Sequence, residues 1–217
     1  MEAHSQLVLF HILLLVFWLG TDLGVFVAAK MSERSDLSNE TRMTLMQLGM
    51  VLDRLPRTAL ILILPSGLGL ASNLQLIALP AAALPVIWVL AFVWAAIMWM
   101  GFLNLESKYE KFSHVFNFAT QCLLIVVLGY FVYQMWGTAP FWLSGKLLVL
   151  TLVFVCGVGL DLTFKPAVDA FKDIMINGAT AERDALYRKT IAPVYWWVIA
   201  IYVLVIAAAY FGVVKPT

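Results

Sequence analysis

Six apolar runs of about twenty residues, separated by short polar stretches, constrain this chain more than any other feature. A bilayer core of about 30 Å takes roughly 20 apolar residues per helix, and in hydrocarbon a spanning segment must satisfy its own backbone as a helix or within a closed barrel. The runs cover about 7–29, 58–79, 82–103, 114–135, 142–164 and 191–213, which is helix length rather than the shorter strand length of a barrel. With 63% hydrophobic and only 12% charged residues, the composition excludes an ordinary soluble domain. The expected fold is an all-α integral membrane protein, a bundle of six transmembrane helices in one domain. The segments between the runs are too short for another domain and repeat at no fixed period. The first run is read as a retained helix, because MEAHSQ lacks the basic residues of a secretory signal and the run has full spanning length.

Twelve of the fourteen basic residues fall in the first, third and fifth connections. Lysine and arginine mark the cytoplasmic side, so both termini are expected on the non-cytoplasmic side, in the inner (plasma) membrane if the cell is bacterial. The exceptions are Lys146, inside the fifth run, and Lys215 in the tail. A net charge of +1 then reflects topology and points to the lipid bilayer as partner, not to nucleic acid. Cys122 and Cys156 both lie within runs and form no metal or redox motif, so they are read as small core residues.

Two connections are long enough to hold structure. SNETRMTLMQLGMVLDRLPR places Met43, Met46 and Met50 on one face of a helix suited to the headgroup layer. Thioethers are soft donors for copper(I), although methionine more often serves as an ordinary apolar residue. The fifth connection reads as two short amphipathic helices with an Asn177-Gly178 turn, its mixed charges forming a solvated face.

Within the runs, polar residues keep helical spacing. His11, Leu15, Trp18 and Asp22 fall at i, i+4, i+7 and i+11 along one stripe of the first helix. A charged group in the membrane costs at least about 2.5 kcal/mol on insertion scales, so such a stripe is expected to face the bundle interior. At about 1.5 Å per residue, His11 lies roughly 6 Å and Asp22 roughly 22 Å below the outer surface. The fifth run mirrors this pattern, with Lys146 in its outer half and Asp161 in its inner half. The fourth adds His114, Asn117 and Gln121. The second adds Arg57 and then Pro65-Ser66-Gly67, where proline frees a carbonyl and glycine permits close approach. An outer cluster of His11 and Lys146 is expected, and an inner one of Asp22, Arg57, His114, Asn117 and Asp161.

Each residue also has a plainer reading: Asp22 paired with Arg57 or Arg54 for packing, Lys146 snorkelling to headgroups, His114 in the interface, Trp18 and Trp94 as large core residues. For His11 the functional alternative is ligation, since neutral imidazole is a common ligand of haem iron and copper. His11 and His114 stand about 20 Å apart along the normal of a 30 Å core, which excludes one haem held by both.

His11, six residues, Trp18, one residue and Gly20 form an H-x6-W-x-G pattern that resembles a signature of the copper-resistance protein D (CopD) family, the HemJ-type protoporphyrinogen oxidases and the membrane domain of cytochrome-linked urate oxidases. FWLSGKLLVLTLVFVCGVGL also looks like the Gly-Lys-Leu helix of the first two, with Lys146 as its lysine. The resemblance implies a helical bundle handling a metal or tetrapyrrole, with His11 as ligand and Lys146 as partner of a propionate; Trp18 and Trp94, by their depth, are candidate walls for a flat ligand. Where HemJ-type chains carry a Pro-Arg pair after this motif, TDLGVFVAAK stands here, so the oxidase activity itself is not implied.

Three functions follow as expectations. The first is binding of haem b or another porphyrin in a redox role, with an electron-exchanging partner protein. The second is copper passage of the CopD type with His11 as entry ligand. The third is a non-catalytic membrane subunit whose polar stripes organise packing.

Overall fold

The helices of this chain end where backbone chemistry stops them, and several ends differ from the limits of the apolar runs. The computed structural model describes residues 2–105 and 107–216, and among these the regular structure is all α-helix: α1 (Glu2–Ser32), α2 (Asn39–Leu52), α3 (Arg54–Asn73), α4 (Ala83–Leu103), α5 (Lys108–Met135), α6 (Phe141–Asn177) and α7 (Ala181–Val214). Six stretches are long and apolar enough to cross a membrane; α2 and α3, which meet at Asp53, together make one of them. The protein is therefore a multi-pass membrane protein with six candidate spans.

The second apolar run was expected to stay helical to Leu79, yet α3 stops at Asn73. Gln75 takes φ 56°, its N–H donates to Ser72 O at 2.9 Å, and the N–H of Leu76 donates to Ala71 O at 3.0 Å. This is a Schellman closure with glutamine in the left-handed position that glycine usually fills. Hydropathy does not register such a turn.

The fifth connection departs further. Its two amphipathic segments are not separate helices but extensions of α6 and α7, divided at Gly178, whose φ of +85° favours glycine. Arg183 Nη1 donates to the carbonyls of Asn177 and Gly178 at 2.9 and 3.0 Å, satisfying the end of α6. The Thr180 hydroxyl accepts from Arg183 N and caps α7.

By packing, the chain forms two compact units, each taken by itself here. The first holds residues up to Val25 together with Leu48–Asn117; the second holds Phe26–Gln47 and the residues from Phe118 on. In the first, α3 packs on α4; in the second, α6 and α7 pack along each other. The core of the second unit joins Ala167, Phe171 and Ile174 of α6 to Tyr187, Ile191 and Tyr195 of α7. Met43 and Met46 pack against this core, whereas Met50 is exposed.

The fifth connection was also read as a solvated face, and Asp184 corrects that. It is buried, with Oδ1 2.9 Å from Nη1 of Arg42, a fully buried arginine whose Nε donates to Ser32 O at 2.8 Å. Beside it the Ser32 and Tyr187 hydroxyls lie 2.8 Å apart. Hydropathy cannot foresee this, because a charge is buried only when tertiary structure brings it a partner.

Candidate functional site

On α1 the polar stripe is the buried one. Leu14 and Trp18 are buried and His11, Leu15 and Asp22 half-buried, while Ile12, Leu13, Val16, Phe17 and Leu23 are exposed. Exposed apolar residues on a spanning helix meet lipid, so the helix turns its chemistry inward.

His11 meets α3 at its Pro65-Ser66-Gly67 segment. Nδ1 of His11 lies 2.8 Å from Ser66 Oγ, and Ser66 is fully buried. The same Oγ donates to the carbonyl of Ile63 at 2.9 Å. A hydroxyl has one proton. With that proton committed to Ile63, Oγ accepts from His11, so Nδ1 carries the hydrogen. Glycine makes the approach possible: a Cβ at Gly67 would lie 3.2 Å from His11 Cε1, and one at Gly69 would lie 3.1 Å from Leu7. The sequence pointed to PSG as a breaker of helix regularity, and its larger effect is to bring a hydroxyl and a bare backbone to the imidazole.

Two further constellations belong to the first unit. Trp94 is buried and donates from Nε1 to Asn117 Oδ1 at 2.6 Å; Asn117 Nδ2 donates to Ser113 Oγ at 3.2 Å. Gly101 admits Ser113, because a Cβ there would come within 2.6 Å of its Cβ and Oγ. Arg57 Nε donates to Asp53 Oδ2 at 2.7 Å, an intrahelical-type i, i+4 partner that the expected pairing with Asp22 had not included. Asp22 is not a solitary charge.

His114 is exposed, contrary to its expected place in the polar interior. Ser113 takes the inward position one residue earlier and about 100° round the helix, so the interior stripe of α5 is Ser113, Asn117 and Gln121 at i, i+4 and i+8. That spacing was present in the sequence and was masked by the more conspicuous histidine.

The remaining residues lie in the second unit. Gln121 is buried and donates from Nε2 to Asp161 Oδ2 at 2.9 Å. Its Oε1 occupies the place a side chain on Gly157 would need. Lys146 is half-buried near the start of α6, its Nζ 2.9 Å from where a Cβ on Gly212 would stand. Cys156 is buried and Cys122 half-buried, both as free thiols.

Among the described residues no group of three or more His, Cys, Asp and Glu could hold a metal ion. Comparison with family models, with curated proteins and with solved structures finds no match for this chain.

Proposed function

We propose that this multi-pass protein binds a haem, or a closely related metallated tetrapyrrole, through Nε2 of His11 and serves in electron transfer at the inner membrane. The observation that carries this reading is the chain from His11 Nδ1 to Ser66 Oγ to the Ile63 carbonyl, which fixes the tautomer and the plane of the ring. Histidines that ligate metals generally have the other ring nitrogen held in this way, which orients the ring and raises its basicity.

The donor set suits a tetrapyrrole better than bare copper. A porphyrin brings four nitrogen donors of its own and asks the protein for an axial ligand. A copper ion held by side chains alone needs several donors, and the described residues gather no group of three such acids, thiols and imidazoles. When bound, the haem supplies one-electron redox chemistry. The chain's own part is to orient the imidazole with Ser66, to exclude water by burying Ser66 and Trp18, and to bring lipid-facing apolar residues around the stripe. Trp18, buried two turns along the same stripe, would border such a group. An electron partner is required by this reading and would be a membrane or peripheral redox protein.

The test is an absorption spectrum of protein purified in mild detergent, oxidised and then dithionite-reduced. A Soret band with a reduced α-band, absent from His11→Ala, supports the reading. A colourless wild-type protein recovered from haem-replete cells, or a band unchanged in His11→Ala, overturns it.

A further inference from the structure

Lys146 and Lys215 are the two basic residues that stand apart from the basic side of the sequence, and in the second unit they converge. Lys146, in the second turn of α6, reaches the last turn of α7, where its Nζ lies over Gly212. Lys215, the residue that ends α7, reaches back to the first turn of α6, with Nζ 5.4 Å from the centroid of the Trp142 ring. The two side chains therefore lie at the same pair of helix ends, the start of α6 and the close of α7.

Three features indicate that this juxtaposition is built. Gly212 leaves the space that Lys146 Nζ fills, since any side chain there would meet it at 2.9 Å. Lys215 holds φ 50°, a left-handed conformation that glycine adopts more readily than lysine. Among the described residues, neither lysine forms an ion pair with a carboxylate. The sequence offers little at that end of the molecule, because the expected outer side carries one acid, Glu2, ahead of the first run. Two like charges brought together on helix ends call for an oxyanion between them.

The surroundings identify its source. Trp142 lies beneath Lys215 Nζ, and on the same two helix ends the Phe141 and Phe211 rings lie 5.9 Å apart edge to face. Aromatic residues collect at the headgroup level of a bilayer. Deeper along α7, Val203, Ile206 and Tyr210 are 62%, 59% and 53% exposed at i, i+3 and i+7, an apolar surface along which an acyl chain can lie. We propose that Lys146 and Lys215 together bind the phosphate of an anionic phospholipid in the adjoining leaflet. Soluble phosphate presents the same oxygens without chains to cover that surface.

The experiment is native mass spectrometry of the full chain released from mixed phosphatidylglycerol and phosphatidylcholine micelles, for wild type, Lys146→Met, Lys215→Met and the exposed-lysine control Lys165→Met. Methionine keeps an apolar stem over Gly212, and Lys215 lies at the helix end, so folding is retained. Wild type should keep phosphatidylglycerol preferentially. Each of Lys146→Met and Lys215→Met should reduce that preference about fivefold, the effect of one lysine near an anionic surface, and Lys165→Met should leave it. Absence of a wild-type preference overturns the proposal, as does an equal loss in Lys165→Met. Displacement of the lipid by equimolar inorganic phosphate would assign the site to the soluble anion instead. Haem content read on the same samples separates this proposal from the His11 reading: loss of haem in Lys146→Met would make the oxyanion a propionate and overturn the lipid assignment, whereas colourless protein with intact lipid preference overturns only the ligand role of His11.

Discussion

Replacing Arg42 by methionine should be among the most damaging single changes in the protein, and the structure shows why. Arg42 is fully buried, its Nη1 is 2.9 Å from Asp184 Oδ1, and its Nε donates to Ser32 O at 2.8 Å. Methionine fills most of the volume but strands the Asp184 carboxylate, itself only 7% exposed. Breaking a buried pair from one side costs about 3–5 kcal/mol, chiefly through the uncompensated charge that remains. For a chain of this size that corresponds to a fall in Tm of order 10 °C, read by thermal unfolding in detergent. Removing both charges is a different experiment. Nη1 and Nη2 of Arg42 and Oδ1 of Asp184 all lack a hydrogen bond of good geometry among the described residues, so the ion pair is close but incompletely satisfied. Arg42→Met with Asp184→Leu should therefore recover most of the loss, because apolar replacement of a buried pair is often neutral or stabilising. The exposed pair Arg34–Asp36 serves as control, and Arg34→Ala should leave Tm unchanged. An Arg42→Met protein as stable as wild type, or a double variant as unstable as the single, would refute the reasoning.

Ser66→Ala should retain the fold yet weaken cofactor retention by about tenfold or more, the usual effect of deleting a partner that orients a ligating histidine; haem-to-protein ratio during dilution reads it. Gly101→Ala drives a Cβ to within 2.6 Å of Ser113 and should destabilise by about 1–3 kcal/mol, whereas Gly129→Ala, with nothing within 4 Å, should be neutral or stabilising by up to about 1 kcal/mol; parallel thermal melts decide the order. Gly157→Ala displaces Gln121 Oε1 and should break the bond from Gln121 to Asp161, giving a melting loss that Gln121→Ala in the same background does not increase.

What could be read from the sequence follows from which forces act locally. Spanning length and apolar composition act residue by residue, so the six spans were legible, as was the inward turn of the His11, Trp18 and Asp22 stripe. Helix ends were less so, because the closure at Gln75 depends on two backbone bonds with no compositional trace. The glycine of PSG announced a close approach but not its object, since the meeting of Ser66 with His11 joins residues far apart in the chain. Asp184 was read as a solvated charge for the same reason. Burial of a charge is a decision made by its partner, and a one-dimensional pattern contains no partners. His114 is exposed, in keeping with its plainer interfacial reading and not with the inner cluster, and the inward position of α5 belongs to Ser113, which the sequence did not single out.

The central claim is that Nε2 of His11 binds the iron of a haem, and ligand rescue tests it most directly. His11→Gly removes the imidazole and leaves room beside Ser66 and Gly67 for a free one. The account predicts that the Soret band of the wild-type protein is lost in His11→Gly and returns when imidazole is added during haem loading. A band that survives in His11→Gly, or that imidazole fails to restore in folded protein, would contradict it.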